Sequence, residues 1–113
     1  MDGEQLYDLA QLEAVAAGSQ EFVSKMVDMF IEMTPALVQR IENGLGLEDW
    51  AEVQSASHKM KPSIDMMGIS SLHDVVRSIE QNAKHQTSLD DIPAQFAKLQ
   101  STLQMVIEQL KNR

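Results

Sequence analysis

A histidine and a lysine one helical turn apart are the residues of this chain best suited to group-transfer chemistry. His58 and Lys61 are separated by three positions, so on a helix their side chains lie on the same side. Neutral imidazole is a good nucleophile near pH 7, and an ammonium group beside it can hold the oxygens of a phosphoryl group. The pair therefore suits reversible phosphorylation of the histidine.

The apolar pattern around this pair predicts a helix that turns the imidazole towards solvent. Core-type residues recur at alternating spacings of three and four and define one buried stripe: Trp50, Val53, Ser57, Met60, Ile64 and Met67. At about 100° per residue, His58 lies roughly 130° from the centre of that stripe. We therefore expect His58 to be exposed on a helix whose opposite face is core, with Lys61 and Asp65 on the same side.

The spacing of His58, Lys61 and Gly68 resembles the signature of the histidine-containing phosphotransfer (HPt) domain, in which lysine and glycine follow the histidine at positions three and ten. The resemblance covers most of the chain and extends to other residues around the motif: Ala56, Ser57, Met60, Ser63 and Leu72. It implies that His58 is the phosphoacceptor and that Lys61 neutralises the phosphoryl group. Gly68 would be structural, ending the helix in a left-handed conformation.

The resemblance also points to Glu80, which lies 22 residues after His58 where family members often carry Gln or Glu. Its carboxylate could accept a hydrogen bond from one ring nitrogen of His58. That bond would fix the tautomer and leave the other nitrogen, Nε2, free to attack. An ordinary exposed glutamate is the alternative interpretation.

Four residues near the histidine are candidates for contact with a partner: Lys59, Pro62, Asp65 and Met66. Many family members have a small residue, commonly glycine, directly after the lysine, whereas this chain has Pro62. Proline has no N–H, so the carbonyl of His58 loses its helical donor and the surface beside the histidine changes. Met66 is flexible and apolar, which suits an adaptable docking surface.

By resemblance, the chain is expected to be a phosphorelay intermediate. His58 would accept a phosphoryl group from the aspartate of a response-regulator receiver domain and pass it to another receiver, and a hybrid sensor histidine kinase is a further expected partner. We expect no cofactor on this chain and Mg²⁺ on the receiver. Because the chain has no Gly-rich phosphate loop, it would be a phosphocarrier without kinase activity of its own. The alternative is a helical adaptor that docks on a receiver or kinase without carrying phosphate.

Composition and charge argue against several other classes of protein. A length of 113 residues fits one domain spanning residues 1–113, and the absence of cysteine excludes disulfides and thiolate metal sites. His73 and His85 have no partners at metal-ligand spacing. The net charge of −8 argues against nucleic-acid binding.

The charge is unevenly distributed along the chain. Residues 54–87 carry a local charge of +1, which leaves −9 for the remainder, so an acidic phosphorylated partner would be steered towards the histidine. No apolar run is long enough to span a bilayer, and the first residues do not resemble a signal peptide. We therefore expect a cytoplasmic monomer with no membrane partner.

The periodicity predicts an all-α fold, an antiparallel up-down-up-down four-helix bundle with a short additional helix at the N-terminus. The short helix is expected at about residues 9–16, the second helix to end near Asn43, and the fourth to be capped by Ser70. The last helix should start near Asp91 or Pro93. The inward face predicted for the second helix comprises Phe22, Met26, Met29, Phe30, Met33, Leu37 and Ile41. Inward Glu-x-x-His pairs are absent, which argues against a buried di-metal centre.

Overall fold

Helices account for the regular structure of the chain. The computed structural model describes residues 4–113, and over this range it contains five α-helices and no β-strand. The helices are α1 (Ala10–Ala16), α2 (Gln20–Leu47), α3 (Trp50–Met66), α4 (His73–His85) and α5 (Ile92–Lys111). Single turns of 3₁₀ helix, Ser70–Leu72 and Leu89–Asp91, precede α4 and α5. The prediction of an all-α fold is confirmed.

The four longer helices form a bundle. α3 packs between α2 and α4, α4 also packs against α5, and α5 returns to α2, while α1 packs against α2. This arrangement is compatible with the predicted up-down-up-down order. Among the described residues, no helix combines the length and the apolar character needed to cross a bilayer.

The buried face of α3 is the one that the sequence predicts. Val53, Ser57, Met60 and Ile64 are fully buried. The Ser57 hydroxyl donates to the carbonyl oxygen of Val53 at 2.7 Å, so the polar side chain enters the core with its hydrogen bond satisfied. The opposite face is therefore left for solvent, and His58 lies on it.

The predicted inward face of α2 is partly wrong. Phe22, Met29 and Met33 are exposed. Of the residues that reach the core, Phe30 and Ile41 belong to the predicted set, whereas Val23, Val27 and Thr34 each lie one position after a predicted residue. Two apolar stripes offset by one residue run side by side along this helix, and both satisfy the spacing rule for a buried face. Only packing against the other helices decides which one is buried.

The prediction that α2 ends near Asn43 is also wrong, because the helix continues through Gly44 and Gly46 to Leu47. Gly44 is buried against the start of α3, where an added Cβ would lie 2.8 Å from Cγ2 of Val53. The glycine thus allows close approach of two helices and does not terminate one. Glu48, with a φ of 54°, adopts the left-handed conformation that ends the helix.

Gly68 allows the N-terminal segment to approach the end of α3. It has a φ of +62°, and an added Cβ would collide with the carbonyl oxygen of Asp8. The Asp8 N–H donates to the carbonyl oxygen of Met67 at 3.0 Å. The predicted cap by Ser70 is wrong, since its side chain makes no capping bond and a 3₁₀ turn leads into α4 at His73.

Residues 4–9, here called the strap, join the end of α5 to the end of α3. The Leu6 N–H donates to Oε1 of Gln109 at 2.9 Å, and Nε2 of Gln109 donates to the carbonyl oxygen of Glu4 at 2.7 Å. Tyr7 is buried between these anchoring points. The strap therefore holds the end of the helix that carries His58.

We predict that Gly68→Ala destabilises the fold by at least about 1–2 kcal/mol, because it adds a left-handed strain to a collision with the strap. Gly46→Ala is the matched control. Its Cβ would meet no atom within 4 Å, and alanine is favoured over glycine inside a helix. Urea unfolding of both variants measures the difference, and equal stabilities would contradict the role assigned to Gly68.

Candidate functional site

A buried carboxylate lies beneath an exposed imidazole where α3 packs against α4. The His58 side chain is 63% exposed and the Glu80 side chain only 5%. Glu80 directly follows Ile79 in a helix whose inward stripe is Val76, Ile79 and Ala83, so its carboxylate enters the contact between the two helices. The alternative that Glu80 is an ordinary exposed glutamate is wrong.

Glu80 contacts both residues of the histidine and lysine pair. Nδ1 of His58 lies 2.7 Å from Oε2 of Glu80, and Nζ of Lys61 lies 2.7 Å from Oε1 of the same carboxylate. The Lys61 side chain is largely covered, with 24% exposed. One carboxylate therefore holds the imidazole and the ammonium group together at the surface of the bundle.

The charge of Glu80 favours one tautomer of His58. Burial raises the pKa of Glu80, but the contacts with Lys61 and His58 outweigh that effect and leave the pKa below its usual value. At neutral pH the carboxylate can only accept hydrogen bonds. When the ring is neutral, an ionised Glu80 favours the His58 tautomer in which Nδ1 donates the hydrogen bond, and this tautomer has its lone pair on Nε2.

A second ion pair joins α3 to α4 further along the site. The Arg77 guanidinium donates to both carboxylate oxygens of Asp65, at 2.7 and 3.3 Å, and to the carbonyl oxygen of His73 at 3.0 Å. This bidentate contact holds the pKa of Asp65 below its usual value. Asp65, which the sequence suggests as a docking residue, thus has a partner within the chain.

The remaining predicted contact residues line a groove between α2 and α3. Lys59 and Pro62 are exposed and Met66 is half-buried. With the exposed stripe of α2 they border an open space of about 660 Å³, which we call the α2/α3 groove. Because Lys59 adjoins His58 and Pro62 lies one turn after it, the groove begins beside the imidazole.

Sequence reasoning missed the contribution of α2 to this surface. The sequence predicts Met29 and Met33 to face the core, but they line the groove with 42% and 56% of their surface exposed. The available signal was the second stripe on the same helix, in which β-branched Val23 and Val27 stand one position after Phe22 and Met26. Rigid β-branched residues and flexible methionines can both fill a core, so the pattern alone does not rank the stripes.

A match to a known protein family agrees with this geometry. The sequence model described as "Hpt domain" matches residues 25–113, a range that contains α3, α4 and the contact between His58 and Glu80. The chain belongs to the Hpt domain family. Its role is therefore phosphotransfer in two-component signalling, in which Hpt domains interact with receiver domains and kinases.

A solved structure shares the fold of this Hpt domain. The HPt domain of a sensor hybrid histidine kinase from Shewanella superposes with a TM-score of 0.81 at 22% identity, over 96% of this chain and 92% of that one. No curated protein matches the sequence. Within residues 4–113 no group of three or more histidines and carboxylates is placed to hold a metal ion.

We predict that Glu80→Gln reduces stability at neutral pH and that the difference from the wild type shrinks in acid. The folded-state pKa of Glu80 lies below its usual value of 4.5. The stabilisation is thus fully present above pH 4.5 and is lost as the pH falls through the folded-state pKa.

Urea unfolding of wild type and Glu80→Gln from pH 6 to pH 3 tests this. Glu42→Gln, on the exposed surface of α2, corrects for the loss of one negative charge. A wild-type to Glu80→Gln difference that stays constant over the whole range would show that the carboxylate is not held in its ionised form by the fold.

Proposed function

We propose that His58 is the phosphoacceptor of this Hpt domain and that the chain is a phosphorelay intermediate. It takes a phosphoryl group from the aspartate of one receiver domain and passes it to the aspartate of another. The observation that carries the proposal is the 2.7 Å contact between Nδ1 of His58 and the buried Glu80 carboxylate. This contact prepares Nε2 of an exposed ring for attack.

The transfer is a displacement at phosphorus. The lone pair of His58 Nε2 forms the N–P bond while the P–O bond to the receiver aspartate breaks and that aspartate leaves as a carboxylate. The hydrogen on Nδ1 stays between the ring and Glu80, whose negative charge stabilises the positive charge that develops on the imidazole. In the reverse direction the same contact restores the neutral ring, so the step is reversible.

Lys61 is the cation proposed to receive the phosphoryl oxygens. In the unphosphorylated chain its Nζ contacts Oε1 of Glu80, one turn from the imidazole. A phosphoryl group on Nε2 would compete with Glu80 for this ammonium group, since both are anionic acceptors. Lys61 would then neutralise the phosphoryl group without a large rearrangement of the helix.

The α2/α3 groove is the proposed docking surface for the receiver. Lys59, Pro62 and Met66 line it, and a receiver whose aspartyl phosphate reaches Nε2 of His58 must cover the surface where the groove begins. Its lining is mainly apolar with a polar border, the composition typical of a protein interface. Residues 54–87 also carry a net +1 in a chain of −8, which favours the approach of an acidic partner here.

Asp65 has a different proposed part in docking. Its pairing with Arg77 at 2.7 Å presents a neutralised pair at the edge of the site in place of a free carboxylate. This removes a negative charge that would oppose the incoming phosphoryl group. We expect the receiver to supply the Mg²⁺ and the groups that align the phosphorus, and this chain to supply the nucleophile and Lys61.

We predict that a phosphorylated receiver transfers phosphate to the wild-type chain and to His73→Gln but not to His58→Gln. His73 is an exposed histidine of α4, so its replacement controls for the loss of any surface imidazole. The product should be labile in acid and stable in alkali, as expected for a phosphorus–nitrogen bond. Circular dichroism should show equal helical content in the three proteins.

Two outcomes would contradict the proposal. Phosphate acquired from ATP in the absence of a kinase would refute a simple carrier. Receiver binding that is equal in wild type and His58→Gln, with no phosphate on either, would indicate a docking adaptor.

A further inference from the structure

The methionines of this chain are concentrated in the α2/α3 groove. Five of the eight line it: Met26, Met29, Met33, Met66 and Met67. Met29 is 42% and Met33 is 56% exposed, whereas Met60 and Met67 are buried. The chain has no cysteine, so thioethers are the sulfur groups available to a solution oxidant.

Exposed thioethers react with peroxide in a two-electron step. The sulfur atom attacks one oxygen of hydrogen peroxide, the O–O bond breaks, and the products are a methionine sulfoxide and water. Sulfur is oxidised and peroxide is reduced. The sulfoxide is polar, and thiol-dependent reductases return it to the thioether. Because Met29 and Met33 are exposed, peroxide should oxidise them faster than the buried methionines of the same chain.

We propose that Met29 and Met33 are oxidation sites through which peroxide reversibly weakens the docking of the receiver. This inference rests on the proposed function, because it takes the α2/α3 groove as the receiver's docking surface. A sulfoxide placed in an apolar contact buries a polar oxygen without a partner, which disfavours the complex. Signal transfer would then fall under oxidative conditions and recover after reduction.

The reacting groups themselves should be unaffected by this oxidation. His58 contacts Glu80, and Lys61 contacts the same carboxylate; within residues 4–113 these contacts of the site involve no methionine. Met29 and Met33 lie on α2, whereas the imidazole, the ammonium group and the carboxylate lie on α3 and α4. Oxidation should therefore alter receiver affinity and leave the nucleophile intact.

The experiment compares four samples of the full chain after treatment with hydrogen peroxide. These are the wild type, Met29→Leu/Met33→Leu, Met105→Leu, and wild type that is incubated with a methionine sulfoxide reductase after the treatment. Leucine conserves volume and apolar character but cannot form a sulfoxide. Met105 is 50% exposed on α5 and lies outside the groove, so it matches the groove methionines in exposure and differs in place.

Three readouts separate docking from chemistry. Peptide mass spectrometry locates the sulfoxides, titration with a receiver domain measures receiver affinity, and phosphorylation by the small donor phosphoramidate measures the reactivity of His58 alone. After oxidation we expect receiver affinity of the wild type and of Met105→Leu to fall roughly tenfold, the cost of burying an unpaired polar group. The phosphoramidate rate should not change, the reductase should restore affinity, and Met29→Leu/Met33→Leu should keep its affinity although Met105 is oxidised.

The inference is overturned if oxidised wild type keeps its receiver affinity, or if oxidised Met29→Leu/Met33→Leu loses as much affinity as the oxidised wild type. A parallel fall in the phosphoramidate rate would also overturn it, because the damage would then lie at the reacting site or in the fold. Failure of the unoxidised chain to accept phosphate from any receiver would reject the proposed function, and this inference with it.

Discussion

The site depends on one buried carboxylate shared between an imidazole and an ammonium group. Removing Glu80 from water is costly for its charged form, and only the contacts with His58 and Lys61, each at 2.7 Å, keep that form favourable. In return an ionised carboxylate favours the His58 tautomer with the hydrogen on Nδ1, and it holds the Lys61 ammonium group one helical turn from the imidazole. The proposed role of His58 as phosphoacceptor needs both conditions.

This arrangement requires α3 and α4 to keep one register. Glu80 meets a residue 22 positions earlier, so any slip between the two helices would separate the pair. The Asp65 and Arg77 bridge fixes the same register further along the helices. The close approach of the strap at Gly68 holds the end of α3, and the absence of a side chain at Gly44 allows α2 to pack closely against its beginning. Gly44 and Gly68 thus allow the helices to take the positions in which these ionic contacts form.

The sequence predicts much of this fold from local rules. The alternation of three and four on α3 identifies both its buried face and the exposure of His58. It fails on α2, where two apolar stripes compete, and at Gly44, where glycine serves packing between helices. The burial of Glu80 could not be predicted because it depends on the distance between two helices. The stripe of α2 that contains Met29 and Met33 is exposed and forms part of the groove beside the site.

The most direct test of this account is the tautomer of His58, measured by long-range ¹H–¹⁵N correlation on ¹⁵N-histidine-labelled chain at a pH where the ring is neutral. The account predicts a protonated Nδ1 and an unprotonated Nε2 in the wild type, and loss of this preference in Glu80→Ala. A wild-type ring protonated mainly on Nε2 would contradict it, because the nitrogen assigned as the nucleophile would then carry the hydrogen.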